Sequence, residues 1–172
     1  MNGFVLHARV PRANGIGTGV AVRYAVEADQ PAIVALVRSE SLNPNDLPWR
    51  RFVVASDGVA LVGAVQLRPN GDGSHELSSL VVRPQARARG VATRMIEMLT
   101  HGRAERLFAV TRRDNVARFA RWGFVEIDAG AAAREVRQRR LIGQLAVIVS
   151  LLRGRRPSRL VVLERVAPTP LG

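Results

Sequence analysis

The sequence predicts one domain of the α+β (mixed α/β) class, in which a central sheet lies between two layers of helices. A chain of 172 residues that is 47% hydrophobic can bury a substantial core. Runs of β-type residues occur before and after the central helical segments, and one strand–helix–strand unit follows an antiparallel meander. We expect residues 20–166 to form this domain, residues 1–19 to be a flexible extension and residues 167–172 to be a C-terminal tail.

The first half of the chain predicts one helix and four strands. Asp29 and Pro31 indicate the start of the helix, which we expect to end near Ser39. Turn-forming residues separate the later strands, at Asp57-Gly58 and in the run 69–74. The predicted strands span 20–25, 51–55, 59–67 and 76–82.

The second half predicts three helices and three strands. The last helix, 131–153, is basic in its first half and apolar in its second, and Pro157 ends it. Its apolar run, 141–152, is too short to cross a bilayer and favours a core or homodimer-interface helix over a helix on a membrane surface. The other predicted elements are a helix at 91–101, a strand at 107–110, a short helix at 116–121, and strands at 124–127 and 160–164.

Composition narrows the classes of function. The net charge is +12 and every basic residue is arginine, which favours anionic partners such as nucleotides and coenzymes. The charge is spread along the chain and aromatic residues make up only 5%, so a nucleic-acid-binding protein is disfavoured. Without cysteine there is no thiolate nucleophile, and with three scattered histidines we expect no metal site. No apolar run of signal-peptide length precedes the domain, and we expect a cytoplasmic protein.

The stretch 82–92 predicts an anion-binding corner. An apolar strand ends at Arg83-Pro84, and a helical pattern begins after Gly90. A strand that leads through a tight loop into a helix leaves backbone N–H groups unpaired at one point, and the helix dipole adds partial positive charge there. Small residues keep bulk away from this backbone, while Arg87 and Arg89 can bind phosphate oxygens. The sequence therefore predicts a cradle for a diphosphate.

Two motifs resemble those of the GNAT N-acetyltransferase superfamily. The family's acetyl-CoA signature, Arg/Gln-x-x-Gly-x-Gly/Ala, is matched by Arg87, Gly90 and Ala92 after a strand that ends in Val-x-Pro. A Phe-Ala-Arg-Trp-Gly-Phe stretch follows at 119–124. The resemblance covers residues 20–127 and implies a twisted, mostly antiparallel sheet whose fourth and fifth strands splay apart.

The resemblance also implies that acetyl-CoA lies in the wedge between these two strands. Its pantetheine arm would pair with the backbone near residues 80–82, and its pyrophosphate would bind the amides of the loop. The residues implied for the coenzyme are Leu80, Val81, Val82, Arg87, Ala88, Arg89, Gly90, Val91, Ala92, Asn115 and Phe119. The resemblance further implies that the acetyl group passes directly from the coenzyme to an amine. The absence of cysteine agrees with this direct transfer.

Glu76 is the candidate general base, because it begins the strand that leads to the cradle and many family members carry a glutamate near this position. His75 is the competing candidate. A backbone N–H near residues 80–82 is the candidate donor to the thioester carbonyl oxygen. Strict alternation along the strand predicts one face made of Glu76, Ser78, Leu80 and Val82, and an opposite face made of Leu77, Ser79 and Val81.

Phe119 stands where the family usually has the tyrosine that protonates the departing thiolate. Phenylalanine cannot donate a proton. Water, or one of Ser78, Ser79 and Thr111, is therefore left as the proton source. Tyr24, the only tyrosine, lies on the first predicted strand, where we expect it to pack against the core or edge.

The acceptor is expected to be a small amine or an amino-acid-like molecule. This expectation comes from a looser similarity of the sequence to amino-acid acetyltransferases. Glu40, Asp46 and Glu76 can attract an amine, and the arginines of 131–140 can hold a carboxylate. One alternative is an acetyltransferase that acts on a protein N-terminus or lysine, including a ribosome-associated one. The other is a non-catalytic acyl-CoA sensor on the same fold, which Phe119 favours. The segments expected to border the acceptor pocket are 39–49, 68–74 and the region after 127.

Overall fold

The computed structural model describes residues 19–40, 42, 45–151 and 159–165, with residues 145–151 described by their backbone alone. The predictions for residues 1–18, for the tail at 167–172 and for the helix end at Pro157 lie outside these residues. The strands are β1 (Ala21–Tyr24), β2 (Phe52–Ser56), β3 (Leu61–Pro69), β4 (His75–Val82), β5 (Leu107–Arg112), β6 (Phe124–Ile127) and β7 (Leu160–Arg165). The helices are α1 (Gln30–Ser39), α2 (Val91–Thr100), α3 (Val116–Ala120) and α4 (Arg134–Leu151).

All seven strands belong to one sheet with the order β1-β2-β3-β4-β5-β7-β6. Every pairing is antiparallel except that of β4 with β5, which is parallel. Helices α2 and α3 cover one face of the sheet, and α1 and α4 cover the other. The predicted three-layer α+β architecture is confirmed.

The apolar periodicity of α2 explains why this helix packs on the sheet. Met95 and Ile96 are buried in the same core cluster as Val53 and Val65 of the central strands. Neighbouring strand residues point the other way, so Val54 packs with α1. The apolar residues of α2, spaced with the period of a helix, therefore pack on apolar residues of β2 and β3 that are spaced with the period of a strand.

Strands β4 and β5 pair only at their first residues. The pairing runs from His75↔Leu107 to Leu77↔Ala109, although β4 continues to Val82 and β5 to Arg112. Over its whole length β5 pairs instead with β7 on its other side. The two central strands thus separate beyond Leu77, as predicted, and a wedge opens between them.

A β-bulge at Ser79 makes the predicted alternation of faces along β4 wrong. Ala64 pairs with Val81 and Gln66 pairs with Ser78, so β4 contains one residue more than β3 between these pairs. Ser79 has a φ of 54°, which a residue other than glycine rarely adopts. After the bulge, Leu80 and Val82 lie on the same α2 face as Leu77, whereas Val81 packs on the α1 face and Glu76 faces α4.

Two element starts differ from the predictions by two residues or more, each for a local reason. Strand β3 begins at Leu61 because the Asp57 carboxylate accepts hydrogen bonds from the amides of Val59 and Ala60, which keeps both residues in the turn. Helix α4 begins at Arg134 because a 3-10 turn over Ala129–Ala131 precedes it. Helix α1 starts as predicted, with Asp29 at its N-cap position, but the Asp29 carboxylate binds Arg23 and the Val26 amide instead of capping the helix.

Helix α4 has 18 residues. Neither it nor any other helix in the described part of the chain combines the length and the apolar character that a membrane span requires.

Candidate active site

The predicted cradle forms where β4 ends and α2 begins. A 3-10 turn over Pro84–Ala86 leads into a loop in which Ala88 and Gly90 have φ values of 60° and 70°. Gly90 is the N-cap of α2, and no side chain caps the helix. The amides of the first helical turn have no partner within the helix and carry the positive end of its dipole. The loop therefore has the geometry of an anion site.

The space in front of the cradle is open. A Cβ atom built on Gly90 would meet no atom within 4 Å. Arg89 is exposed, and Arg87 is held across the loop because its Nε donates to the Val82 carbonyl (2.8 Å) and its Nη2 donates to the Glu40 carboxylate (3.2 Å). Glu40 thus pairs with the cradle arginine. The residues present fit the diphosphate of a coenzyme at this corner.

The wedge continues from the cradle toward the start of β4. Backbone groups of a strand point alternately to its two neighbours. Beyond Leu77, the groups of β4 that face β5 have no strand partner in the described part of the chain. The bulge at Ser79 reorients the backbone at the same place. An extended ligand arm can pair with this free edge, as a strand would.

Glu76 lies at the closed end of the wedge, opposite Phe108 of β5. Its side chain is buried, and its Oε2 accepts a hydrogen bond from Arg139 of α4. The same Nη1 of Arg139 donates to Asn70 Oδ1 (2.9 Å). Burial raises the pKa of the Glu76 carboxyl above its ordinary value, despite the opposing effects of Arg139 and Arg68. A buried carboxylate with a raised pKa suits a general base.

Polar residues of β3 and of the loop before β2 surround Glu76. Arg68 is the direct cross-strand neighbour of Glu76, and its Nη2 donates to the carbonyls of Asn45 and Asp46 (3.3 and 3.2 Å). Arg51 donates to both carboxylate oxygens of Asp46 (2.9 Å each). The loop, the two strands and α4 therefore bring acids and arginines together at one place.

His75 is directed elsewhere. Its Nδ1 lies 3.5 Å from the Glu105 carboxylate, and its backbone amide donates to the Arg106 carbonyl (3.0 Å). These contacts hold the His75 side chain against Glu105, whereas the Glu76 side chain faces α4. The geometry favours Glu76 over His75 as the base.

Phe119, Asn115 and Tyr24 are held by other protein groups, whereas the buried Ser78 Oγ has no hydrogen-bond partner among the described residues. The Phe119 ring is buried edge-on against Trp122 and Phe124, with centroid distances of 5.3 and 5.7 Å. Asn115 donates to Thr111 Oγ1 (3.1 Å). The Tyr24 hydroxyl donates to the Met98 carbonyl (3.1 Å) on the outer edge strand. No tyrosine in the described chain lies in the wedge.

Two residues near Glu76 were not singled out by the sequence. Gln66 is fully buried, and its Nε2 donates to Ser79 Oγ (3.1 Å). Arg68 was part of the prediction only as the first residue of segment 68–74, which was expected to border the acceptor pocket. A polar residue amid the apolar run 61–67 was the available signal for Gln66.

In the described residues, no group of three or more His, Cys, Asp or Glu side chains is placed to hold a metal ion.

Comparison with known proteins agrees with this geometry. The model of the acetyltransferase (GNAT) family matches residues 21–124. No curated protein matches the sequence. Among solved structures, N-acetylglutamate synthase from Neisseria gonorrhoeae, complexed with coenzyme A and N-acetyl-glutamate, matches with a TM-score of 0.63 and 23% identity, covering 85% of this chain and 34% of that one.

Two further structures match over nearly their full length. Rv2747 from Mycobacterium tuberculosis, in complex with CoA and NLQ, has a TM-score of 0.63 and 22% identity, with 86% of this chain and 99% of that one covered. A GNAT family acetyltransferase from Bacillus cereus has a TM-score of 0.57 and 17% identity, with 86% and 99% covered. These identities show the shared fold. The chain spans only about a third of the length of the N-acetylglutamate synthase chains that it matches.

Proposed function

Because the chain belongs to the acetyltransferase (GNAT) family, we propose that it transfers the acetyl group of acetyl-CoA directly to the primary amine of a small, amino-acid-like acceptor. The family uses acetyl-CoA as donor, and two structural neighbours contain coenzyme A. The observation that carries the proposal is the geometry of β4. Its last residue opens into the anion cradle, its middle forms the free edge of the wedge, and Glu76 lies near its first residue.

Each part of β4 has a role in the transfer. When bound, acetyl-CoA supplies the acetyl group as a thioester, whose C–S bond breaks as the amine nitrogen forms the new C–N bond. The cradle amides and Arg89 bind the diphosphate, and the free backbone edge near the bulge holds the extended arm. A backbone N–H of that edge donates to the carbonyl oxygen, which gains negative charge as the nitrogen attacks.

Glu76 accepts the proton that the amine loses, and its raised pKa brings the carboxylate closer to the pKa range of an efficient base. The departing thiolate takes a proton from water or from one of Ser78, Ser79 and Thr111, because Phe119 has none to give. The neighbour that contains N-acetyl-glutamate supports an acceptor of the amino-acid type.

A steady-state assay tests this proposal. Thiol release from acetyl-CoA is measured against a panel of amines, amino acids and lysine-containing peptides, with mass spectrometry of the products. We expect an N-acetylated product from a small amine-bearing molecule and none from the peptides. The second candidate, a non-catalytic acyl-CoA sensor, is favoured by Phe119, and saturable CoA binding without turnover on any amine would select it.

Replacing Phe119 with leucine separates a chemical from a packing role. Loss of a general acid lowers kcat by about 10²- to 10⁴-fold. Because Phe119 has no proton to give, we expect kcat of Phe119→Leu to stay within about threefold of wild type. The free energy of unfolding should fall by roughly 1–2 kcal/mol, because the edge-to-face contacts with Trp122 and Phe124 are lost. Steady-state thiol-release assays measure kcat, and thermal unfolding measures the stability. A kcat loss above about 100-fold would show that Phe119 takes part in the chemistry.

A further inference from the structure

We propose that Arg68 and Arg139 bind a carboxylate of the acceptor beside Glu76, so that this site takes a free α-amino acid and not a simple amine. The inference rests on the proposed function and names the substrate class of the same site. It follows from how the arginines are arranged, how they are paired and how little water reaches them.

The cluster contains more positive than negative groups. Arg51 and Arg68 lie against Asp46, at 2.9 and 3.2 Å, and Arg139 pairs with Glu76. Three guanidinium groups thus face two carboxylates. Glu135, one turn before Arg139 on α4, accepts from the Gly71 amide (3.4 Å) and forms no ion pair with this cluster in the described residues. One positive charge is left for a ligand of single negative charge.

Both arginines present donors that have no hydrogen-bond partner among the described residues. The two hydrogen bonds of Arg139 to described residues both leave from Nη1, so Nη2 and Nε are left for a ligand. Arg68 Nε is buried without a hydrogen bond, although the Asp46 carboxylate is 3.2 Å away. A guanidinium fork of this kind matches the planar oxygens of a carboxylate.

Burial makes the excess charge costly. The Arg68 side chain is only 12% exposed. Its pKa is lowered, first by burial and then by the nearby charge of Arg139. A cation that has lost water and lies near another cation is stabilised when an anion enters between them.

The contact between Arg139 and Glu76 fixes where the carboxylate lies relative to the amine. Glu76 must reach the reacting amine to take its proton, and Arg139 is hydrogen-bonded to Glu76. A carboxylate on Arg139 is therefore a close neighbour of the amine on Glu76. An α-amino acid carries both groups on one carbon and meets this spacing.

A second observation points to a polar ligand at the same face. Gln66 lies two residues before Arg68 on β3, is fully buried, and its Oε1 has no hydrogen-bond partner. Ser78, its cross-strand neighbour, also has a buried Oγ without a partner. Buried polar atoms are nearly always hydrogen-bonded, so these two atoms mark a place where a polar ligand group completes the site.

The test compares amino acids with the amines that decarboxylation would give, namely leucine with isoamylamine, phenylalanine with phenethylamine, and arginine with agmatine. We expect kcat/KM to be roughly 10- to 100-fold higher for the amino acid of at least one pair, because each charge-assisted contact is lost with the carboxylate. Arg139→Gln should abolish this preference by lowering the value for the amino acid far more than that for the amine. Arg121→Gln, an exposed change next to the end of α3 on the other face of the sheet, should leave the preference intact.

Two results would overturn the inference. Equal kcat/KM for amino acid and amine in every pair would overturn it while the proposed acetyl transfer stands. Loss of all acetylation, together with no thermal stabilisation of the CoA-bound protein by any amino acid, would overturn both. A preference that survives in both Arg68→Gln and Arg139→Gln would assign the carboxylate to other residues and overturn the role of this pair.

Discussion

Replacing Glu76 with glutamine is expected to lower kcat/KM for acetyl transfer by about 10²- to 10⁴-fold, the usual contribution of a general base. Glutamine keeps the size of the side chain and still accepts a hydrogen bond from Arg139, so the wedge and the cradle stay in place. CoA affinity, measured by calorimetry, should therefore be unchanged. Glu126→Gln, a change at an exposed residue paired with Arg113, is the matched control and should keep full activity.

The pH dependence of the two proteins gives an independent readout. Burial raises the pKa of Glu76 in the folded protein, so the acid limb of kcat/KM should lie above the ordinary range of a glutamate. A raised folded pKa means that the stability contributed by the protonated carboxyl is fully present below the unfolded pKa and is lost as pH rises through the folded value. Glu76→Gln should remove that loss, so Tm should change less between acid and neutral pH in this variant than in wild type. Unchanged kcat/KM in this variant would contradict the assignment of the base.

Replacing Gly90 with glutamate is expected to abolish CoA binding. The new side chain would occupy the open space of the cradle and place a carboxylate where the diphosphate binds. The positive φ of 70° adds strain of roughly 1–2 kcal/mol, which the favourable position of an acid at a helix N-terminus partly offsets. The folded domain should therefore survive, as circular dichroism and thermal unfolding can show.

Gly102→Glu is the control for this change. Gly102 follows the other end of α2, has a φ of 69°, and a Cβ atom there would also meet no atom within 4 Å. The backbone strain is thus matched, but an acid at the C-terminal end of a helix opposes the dipole. We expect Gly102→Glu to be the less stable variant and yet to bind CoA like wild type. CoA binding that is equal in the two variants would contradict the cradle.

The local features of the fold were predictable from the sequence. Gly90 after an apolar strand and before the pattern Val91, Met95, Ile96 sufficed to predict the strand–loop–helix corner, because strand period, helix period and a residue that tolerates positive φ all act over neighbouring residues. The separation of β4 and β5 came only from the family resemblance, since no local pattern states where two strands stop pairing.

The bulge and the surroundings of Glu76 could not be read from the sequence. Ser79 adopts a positive φ without being glycine, so nothing in its residue type marks the extra residue in β4. Arg139 reaches Glu76 from 63 positions away, and only the packing of α4 on the sheet decides which of its arginines faces inward. Arg68 is opposite Glu76 because of the register in which β3 and β4 pair, and this register shifts at the bulge farther along the strands.

The most direct measurement of the central claim is a single-turnover reaction with acetyl-CoA labelled with ¹³C in the acetyl group, analysed by intact-protein mass spectrometry and by NMR of the small molecules. We predict that the label appears as an N-acetyl group on the amino acid, that free CoA forms in equal amount, and that the protein gains no mass. Label on the protein, or thiol release without an N-acetylated product, would contradict direct transfer from the coenzyme in the β4–β5 wedge to an amine at Glu76.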